Sequence, residues 1–389
     1  MDIALCYESV LPARGGCETY ISDLARRLVR DGHSVHLYAC RWDEKALPAS
    51  LNYHRLDVPK GPRFLRPWRF ARAVESALAT SHHDVTMGFD KTWGQDVLYP
   101  QGGLHVASAE HNRRKFPNAL TRAFASLGKC IDPAAWSFAK LERRQYLSDH
   151  RPQIIVNSQM VRRHFQHFYP QVAGNIRVLY SSIDPGRFHA DDRMRIRADE
   201  RATWGIRDEE TLGLFVAMNY RLKGLAPLLN AVARMPRTSP FRLAVVGHPK
   251  FQRYERQAKR LGILDRVKFV GFRAEPKSAY FAADFLVHPT FYDPCSLVVL
   301  EALACGLPIT TSRFNGASEF LTPGIDGFVI DDPHNASEFG NVLAKMCDVP
   351  RRLEMATAAR QTGQRWTFDE HYRQLLSLFG EIAAKKLAA

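Results

Sequence analysis

Two acidic residues bracket the start of a predicted helix in the last third of the chain. Asp293 precedes a proline that should end the strand before it, and Ser296 can cap the helix that follows. The first N–H groups of that helix, at Ser296, Leu297 and Val298, can bind an anion. Glu301 lies about 7 Å along the helix, on an apolar face where a carboxylate is costly without a polar partner. This arrangement suits the hydroxyl groups and diphosphate of a nucleotide sugar, although a capping acid followed by a surface glutamate explains the spacing as well.

Two cations follow the first predicted strand of the second half of the chain. Arg221 and Lys223 come after the apolar run Leu212 to Ala217, at the carboxyl end of a strand, where doubly wound sheets bind ligands. Their charges can neutralise a leaving diphosphate. A solvated loop with two basic residues is an equal alternative.

A pair of glycines, Gly15 and Gly16, separates the first predicted strand from the first predicted helix. Without side chains there, an anion can approach the N–H groups and the positive end of the helix. The three-glycine fingerprint of dinucleotide sites is missing, so a plain turn before a helix explains the pair equally well.

The elements that must position these residues alternate between short apolar runs and segments of helical periodicity, as in βα units around parallel sheets. The fold class is therefore α/β. One series of strands runs from Ile3 to Val156, and a second from Leu212 to Thr310. We predict two Rossmann-like, doubly wound domains, residues 1–182 and 183–366, facing each other across a cleft. A helix within residues 367–389 can pack back on the first domain.

The composition is that of a globular protein with an excess of positive charge. The 389 residues include 54 Lys and Arg against 40 Asp and Glu, a net charge of +14, which predicts attraction to polyanions. The amino terminus lacks the pattern of a signal peptide, and no apolar run is long enough to span a bilayer. We expect a cytoplasmic protein whose membrane contact is peripheral, at the inner face of the cytoplasmic membrane.

Neither the cysteines nor the histidines form a metal-ligand motif. The seven cysteines include no C-x-x-C pair and favour a reduced protein without structural zinc. His82-His83-Asp84 offers three ligand types, but adjacent residues rarely converge on one ion, and the neighbouring sequence adds no further ligand cluster. We predict no bound metal and no cofactor.

Five motifs in order resemble the retaining GT-B glycosyltransferases of family 4, over nearly the whole chain. They are Gly15-Gly16-x-Glu18, Val156 to Arg163, Ser182 to Phe188, the Arg221-x-Lys223-Gly224 loop and the Asp293 to Glu301 segment. Within the family, Gly88 to Lys91 with Gln95 to Val97 resemble the lipopolysaccharide-core glucosyltransferases.

The resemblance implies transfer of a hexose, glucose, from a nucleoside-diphosphate sugar, UDP-glucose, to a glycolipid or lipopolysaccharide-core-type acceptor. It also implies retention of the anomeric configuration without a metal. On the donor side, Gly16 would admit the diphosphate, Arg221 and Lys223 would hold it, Glu301 would bind the ribose and Asp293 the sugar.

For the base, the resemblance implies backbone groups near Phe272, and for the acceptor it implies His105 and Asp96. Two positions depart from the family pattern. Asp293 stands where a glutamate is usual, and Met218 stands where many members carry an arginine.

Two acid-free stretches in the first half mix basic and aromatic residues. The first contains Lys60, Arg63, Arg66, Arg69 and Arg72 with Phe64, Trp68 and Phe70 between them. The second, residues 111–131, contains Arg113, Arg114, Lys115, Arg122 and Lys129. Such stretches suit an anionic membrane surface or a lipid acceptor. Nucleic-acid binding and a solvated face are the alternatives.

Three other functions are alternatives to a glycosyltransferase. An NAD-dependent oxidoreductase should carry the G-x-G-x-x-G turn, which is missing here. A nucleic-acid-binding protein would explain the charge, but the sequence has no recognition motif for nucleic acid. A nucleotide-sugar epimerase on the same fold stays open.

Overall fold

The computed structural model describes residues 1–12, 15–59, 61–118, 120–123, 132–148 and 151–388. The chain divides into two compact units. The first unit consists of Met1–Arg113, Asn118–Tyr180 and Glu370–Ala389, and the second consists of Arg114–Pro117 and Ser181–Asp369. The division after Tyr180 comes two residues before the boundary expected from the sequence. The last helix contributes its residues from Glu370 onward to the first unit.

The first unit is built on a parallel sheet. Its described strands are β1 (Asp2–Cys6), β2 (Ser9–Val10), β3 (Ser34–Ala39), β4 (Arg41–Trp42), β5 (Asn52–Arg55), β6 (Val85–Phe89), β7 (Val97–Tyr99), β8 (Gln153–Val156) and β9 (Ile176–Val178). Seven of them form one sheet in the order β5-β3-β1-β6-β7-β8-β9, with every pairing parallel, while β2 pairs with β4.

Helices connect these strands. They are α1 (Gly16–Arg30), α2 (Arg66–Leu78), α3 (His105–Arg114), α4 (Pro133–Leu147) and α5 (Gln159–Phe168). The apolar residues of α1 repeat at helical spacing, and Ile21, Leu24 and Leu28 are fully buried. The helix ends just before Gly32, whose φ of 82° continues the chain in a left-handed turn toward β3.

The second unit repeats the plan with a six-stranded parallel sheet in the order β12-β11-β10-β13-β14-β15. Its strands are β10 (Thr211–Ala217), β11 (Phe241–Gly247), β12 (Val267–Gly271), β13 (Phe285–His288), β14 (Ile309–Ser312) and β15 (Gly327–Ile330). The remaining helices are α6 (Arg193–Trp204), α7 (Leu225–Arg234), α8 (Gln252–Arg260), α9 (Lys277–Ala282), α10 (Leu297–Ala304), α11 (Ala336–Lys345), α12 (Val349–Gly363) and α13 (Phe368–Leu387).

The predicted α/β class with two parallel sheets is confirmed. All seven residues of β10 are buried, as expected for a central parallel strand covered on both faces. The strands β9 and β15 lie outside the two predicted series of strands, so the sequence analysis missed them.

Each sheet has one point where the strand order changes direction. In the first sheet this switch point lies between β1 and β6, and in the second it lies between β10 and β13. In doubly wound folds, ligands bind at the carboxyl ends of the strands that flank this point. The loops that follow these four strands are therefore the first places to look for a site.

Candidate active site

In the second unit, the loops after β10 and β13 meet at the switch point. Lys223 Nζ lies 2.5 Å from Asp293 Oδ2 and 3.4 Å from the carbonyl oxygen of Tyr292. Gly224, with φ of 83°, caps the amino terminus of α7. A Cβ there would lie only 2.2 Å from the backbone oxygen of Pro289. The glycine therefore permits the close approach that brings the cation and the carboxylate together.

Asp293 remains ionised in this setting. Burial alone would raise its pKa, but the Lys223 ammonium and a hydrogen bond from His288 outweigh burial and hold the pKa well below its usual range. The contacts described for the carboxylate use Oδ2. We infer that Oδ1 can accept a hydrogen bond from a ligand hydroxyl group.

His288, which the sequence analysis missed, ends β13 beneath this ion pair. Its Nε2 lies 3.4 Å from Asp293 Oδ2 and 3.3 Å from Ser296 Oγ. The residue is only 1% exposed, and burial lowers its pKa, so the imidazole is neutral at pH 7. Its Nδ1 is buried without a hydrogen-bond partner among the described residues. A polar residue closing a buried strand at the switch point is the signal that could have identified it.

The amino terminus of α10 differs in part from the prediction. The Ser296 N–H donates to Asn315 Oδ1 at 3.2 Å, so this group is not available to an anion. The Ser296 hydroxyl does not cap the helix, because Oγ contacts His288 instead. Leu297 and Val298 open the helix, and their N–H groups are among those that a helix leaves without an internal acceptor. The anion site predicted here is therefore reduced to Leu297 and Val298.

Glu301 has the polar partner that its apolar face requires. The hydroxyl of Tyr280, a fully buried residue of α9, donates to Glu301 Oε2 at 2.5 Å. Burial raises the pKa of Glu301, while this hydrogen bond and the charge of Arg187 oppose the rise. The sequence offered no local signal for Tyr280, which is 21 residues away in the chain.

The other donor-side candidates lie at the same edge of the second sheet without joining this network. Arg221 is exposed, and its guanidinium lies 4.4 Å from the centre of the Phe116 ring, a residue that groups with the second unit. Phe272 directly follows β12 and is 50% exposed. Met218 directly follows β10 and is also exposed.

In the first unit, the predicted glycine pair begins α1 at the carboxyl end of β1. The helix starts at Gly16, and Gly15 has extended backbone angles. A Cβ on Gly15 would lie 2.9 Å from Glu18 Oε2. The position agrees with a site for an anion, whose binding stays a prediction.

His105 lines a cavity of about 270 Å³ at the same edge of the first sheet, together with Asp90, Lys91 and Glu142. Asp90 directly follows β6 and adopts φ of 53°, an unusual conformation for a residue other than glycine. Its Oδ1 accepts a hydrogen bond from the Gly102 N–H at 3.0 Å. Such backbone outliers are common at functional sites. The sequence analysis quoted Asp90 and Lys91 within a motif but did not select them as site residues.

The structure contradicts the acceptor-side role predicted for Asp96. This residue precedes β7 and lies at the amino-terminal edge of the sheet, opposite the cavity. Its Oδ2 accepts hydrogen bonds from the Thr86 N–H and hydroxyl and from Lys386 Nζ, each at 2.7 Å. Asp96 therefore ties two strands to α13 and has a structural role.

The first basic stretch forms one side of an apolar groove. The groove, of about 580 Å³, is lined by Phe64, Leu65, Trp68, Arg69, Arg72, Pro133, Trp136, Ser137 and Lys140. Trp136 is 70% exposed. Arg63 is exposed as expected, whereas Arg66 pairs with Glu8 and Phe70 is part of the core. Lys60 lies outside the described residues.

The second basic stretch is divided between the units. Arg113 belongs to the first unit and is exposed, whereas Arg114 and Lys115 group with the second unit. The Arg114 guanidinium lies 4.9 Å from the centre of the Phe314 ring, and its carbonyl oxygen lies 2.8 Å from His334 Nε2. Arg114 is exposed like Arg113, so its contact with a membrane stays a prediction. Lys129 lies outside the described residues.

Within the part of the chain that the structure describes, no helix has the length and apolar character needed to cross a membrane. The six cysteines in that part are free thiols.

Comparison with known proteins explains why these motifs occur together. The profile named Glycosyltransferase Family 4 matches residues 14–187, and the profile named Glycosyl transferases group 1 matches residues 196–366. The chain is 25% identical over 363 residues to the lipopolysaccharide glucosyltransferase WaaG of Escherichia coli K12, covering 92% of this chain and 93% of that protein. It is 26% identical to D-inositol 3-phosphate glycosyltransferase 2 of Catenulispora acidiphila, covering 87% of this chain and 83% of that protein.

Solved structures show the same fold. A crystal structure of WaaG superposes with a TM-score of 0.80 at 22% identity, covering 97% of this chain and 99% of that one. Anabaena HepE in complex with UDP-glucose superposes with a TM-score of 0.70 at 20% identity, covering 97% and 99%. The two family profiles together span most of the chain, which folds into two Rossmann-like units with parallel sheets. The chain belongs to the GT-B glycosyltransferases, with a family 4 domain followed by a group 1 domain.

Proposed function

We propose that this glycosyltransferase moves glucose from UDP-glucose to a glycolipid or lipopolysaccharide-core-type saccharide, with retention of the anomeric configuration. The observation that supports it most is the largely buried pair of Lys223 and Asp293 at the switch point of the second sheet, 2.5 Å apart. The similarity to WaaG, named as a lipopolysaccharide glucosyltransferase, supports the choice of sugar and acceptor.

In this proposal the second unit binds the donor. Asp293 stays an anion and accepts hydrogen bonds from sugar hydroxyls through Oδ1, while Lys223 stays within reach of the diphosphate. Glu301 accepts hydrogen bonds from the ribose through its second oxygen, because Oε2 is already bonded to Tyr280. Donor hydroxyls bonded to ionised carboxylates form the stronger, charge-assisted class of hydrogen bond.

The transfer step is a substitution at the anomeric carbon. The acceptor oxygen bonds to that carbon, the bond to the β-phosphate oxygen breaks, and the acceptor proton passes to the departing diphosphate. Lys223, Arg221 and the N–H groups of Leu297 and Val298 stabilise the charge that develops on the diphosphate. We propose that these groups replace the divalent ion that other transferases use, so chelator should leave turnover intact.

We place the acceptor on the first unit. The cavity lined by Asp90, Lys91 and His105 can receive a saccharide hydroxyl, and the groove beside Trp136 suits a lipid surface. Arg69, Arg72 and Lys140 on the groove supply positive charge for anionic headgroups, and the exposed indole suits the membrane interface. We propose peripheral binding at the inner face of the cytoplasmic membrane.

The donor is tested by a thermal-shift screen of UDP-glucose, UDP-galactose, ADP-glucose and GDP-mannose, followed by transfer assays with and without EDTA. We expect the largest stabilisation from UDP-glucose and, by NMR, a product with the donor's anomeric configuration. Product formed without an acceptor, as a changed nucleotide sugar, would support the epimerase alternative. A requirement for Mg²⁺ or Mn²⁺ would contradict the role given to the cations.

The proposed membrane binding is tested by flotation with phosphatidylglycerol vesicles, with phosphatidylcholine vesicles as the neutral comparison. We expect binding only to the anionic vesicles, weakened by salt. The triple variant Arg72→Ser, Lys140→Ser, Trp136→Ser should lose it, whereas Arg253→Ser with Arg256→Ser, two exposed residues of α8, serves as the matched control. Equal flotation of both variants would reject the groove as the contact.

A further inference from the structure

Three titratable side chains converge at the amino-terminal edge of the first sheet, opposite the cavity at its carboxyl edge. Asp2 begins β1, His36 lies in β3 and His83 precedes β6. These three strands are neighbours in the order β3-β1-β6. The sheet therefore brings together residues that are far apart in the chain.

The three side chains already lie at distances close to those of metal ligands. His36 Nε2 is 3.0 Å from Asp2 Oδ2, and His83 Nδ1 contacts Asp2 Oδ1. One nitrogen or oxygen atom from each residue lies within 4.8 Å of the other two. Two ligands with bonds of about 2.0–2.1 Å at a tetrahedral angle lie about 3.3 Å apart, so small side-chain shifts would complete the geometry.

The second nitrogen of each histidine has the kind of partner that orients a ligating imidazole. His83 Nε2 lies 2.9 Å from the Tyr38 hydroxyl, and His36 Nδ1 lies 2.9 Å from His54 Nε2. In metal sites, the ring nitrogen that does not bind the ion is usually held by such a hydrogen bond. This arrangement leaves His36 Nε2 and His83 Nδ1 facing the carboxylate.

Burial and access also fit a bound ion. The His83 side chain is 3% exposed, whereas that of Asp2 is 35% exposed, so the cluster opens to solvent on one side. Water can complete the coordination from that side. Two imidazoles and one carboxylate suit zinc-like ions, whereas Mg²⁺ and Ca²⁺ favour oxygen ligands alone.

We propose that Asp2, His36 and His83 bind one divalent transition-metal ion of the zinc class. The ion would tie three adjacent strands of the first unit together and stabilise that unit. Because the cluster lies at the opposite edge of the sheet from the cavity, the metal would take no part in transfer. The proposal is therefore independent of the function proposed above and of its metal-free chemistry.

The test uses full-length protein without an affinity tag, stripped with EDTA and exchanged into chelator-free buffer. Calorimetry with ZnCl₂ should show one bound equivalent, and Zn²⁺ should raise the Tm by about 3 °C or more. Substitution with Co²⁺ should give visible absorption bands without the near-ultraviolet band of cysteine thiolate, which distinguishes this site from the free cysteines.

Variants then assign the ligands. His36→Gln and His83→Gln should each weaken Zn²⁺ binding about tenfold or more, and Tyr38→Phe should weaken it about tenfold while both histidines remain. His82→Gln is the matched control, because His82 is exposed and adjacent to His83. The Tm of each variant in EDTA shows whether it is folded. Absence of one-to-one Zn²⁺ binding by the wild type, a thiolate band with Co²⁺, or an equal loss in His82→Gln would overturn the proposal.

Discussion

Each sheet has an aspartate beyond the strand at its switch point, and the two carboxylates have pKa values shifted in opposite directions. After β13, burial is outweighed by Lys223 and His288, and the pKa of Asp293 lies well below its usual range. After β6, burial dominates and raises the pKa of Asp90, although the Gly102 N–H and the Lys91 charge oppose it. Lys91 does not form a close pair there, because its Nζ lies over the Phe138 ring at 3.9 Å.

The difference shows that position in the fold does not decide the charge of a buried carboxylate. These two sites differ in whether an ammonium group lies at hydrogen-bond distance from the carboxylate. The second unit holds an ionised carboxylate beside a cation, which would suit the proposed donor, since its sugar hydroxyls can bond to the carboxylate and its diphosphate can lie near the ammonium. The first unit has a carboxylate that takes up a proton more easily, in a cavity suited to neutral hydroxyl groups.

Removal of the Lys223 ammonium should have the largest effect on the difference between the two carboxylates. Lys223→Met leaves the Asp293 charge buried without its partner, which should lower the free energy of unfolding by about 3–5 kcal/mol and abolish transfer. Urea denaturation measures the loss, with Lys250→Met, an exposed lysine of the same unit, as control. Adding Asp293→Asn to Lys223→Met should restore part of the stability. If the double variant is less stable than the single one by the full cost of Asp293→Asn, the two side chains are not coupled.

Asp293→Asn tests the role of the anion in the second unit. We expect turnover of the sugar nucleotide to fall about 100-fold, because a neutral amide cannot replace the charge-assisted hydrogen bond that Oδ1 of the carboxylate accepts from a sugar hydroxyl. Affinity for UDP should change little, since UDP lacks the sugar. Steady-state transfer assays measure the turnover, and calorimetry measures the affinity for UDP. A large loss of UDP affinity would instead place Asp293 at the nucleotide.

Glu301→Gln should weaken the binding of UDP, which Asp293→Asn leaves nearly unchanged. The effect should be smaller than that of Asp293→Asn on turnover. The substitution keeps the shape but weakens the contact with the ribose by about 1–3 kcal/mol, so affinity for UDP and for UDP-glucose should fall together. Calorimetry with both ligands measures it. Glu354→Gln, at an exposed position of α12, is the control. Unchanged UDP affinity in Glu301→Gln would reject the ribose contact.

Asp90→Asn should have the smallest effect and a distinctive pH dependence. A raised carboxyl pKa stabilises the fold below the unfolded pKa of 3.8, and this contribution is lost as pH rises through the folded pKa. At pH 7 the neutral amide should therefore leave stability unchanged or increase it, by at most about 1 kcal/mol. The difference from wild type should shrink near pH 4 in urea denaturation. A clear loss of stability at pH 7 would show that Asp90 is ionised and paired like Asp293.

Much of the proposed donor site could be identified from the sequence because its signals are local in the chain. Asp293 and Glu301 stand eight residues apart around a helix start, and Arg221 and Lys223 follow a strongly apolar strand. Their partners were not predictable in the same way. Tyr280, His288 and Asn315 belong to other elements, and only the packing of α9, β13 and the loop after β14 brings them to Asp293, Ser296 and Glu301.

The α/β class, the two series of strands and the family resemblance can be read from the sequence alone, because periodicity, glycine turns and motif order are properties of neighbouring residues. Which side chains come into contact depends on how the strands and helices pack. Asp96 lies at the opposite edge from the cavity because it immediately precedes β7, and the core encloses Phe70. Strand order joined His83 to Asp2 and His36, for which the neighbouring sequence gave no sign. A parallel sheet aligns residues by strand order and register, and neither can be read from the spacing of residues along the chain.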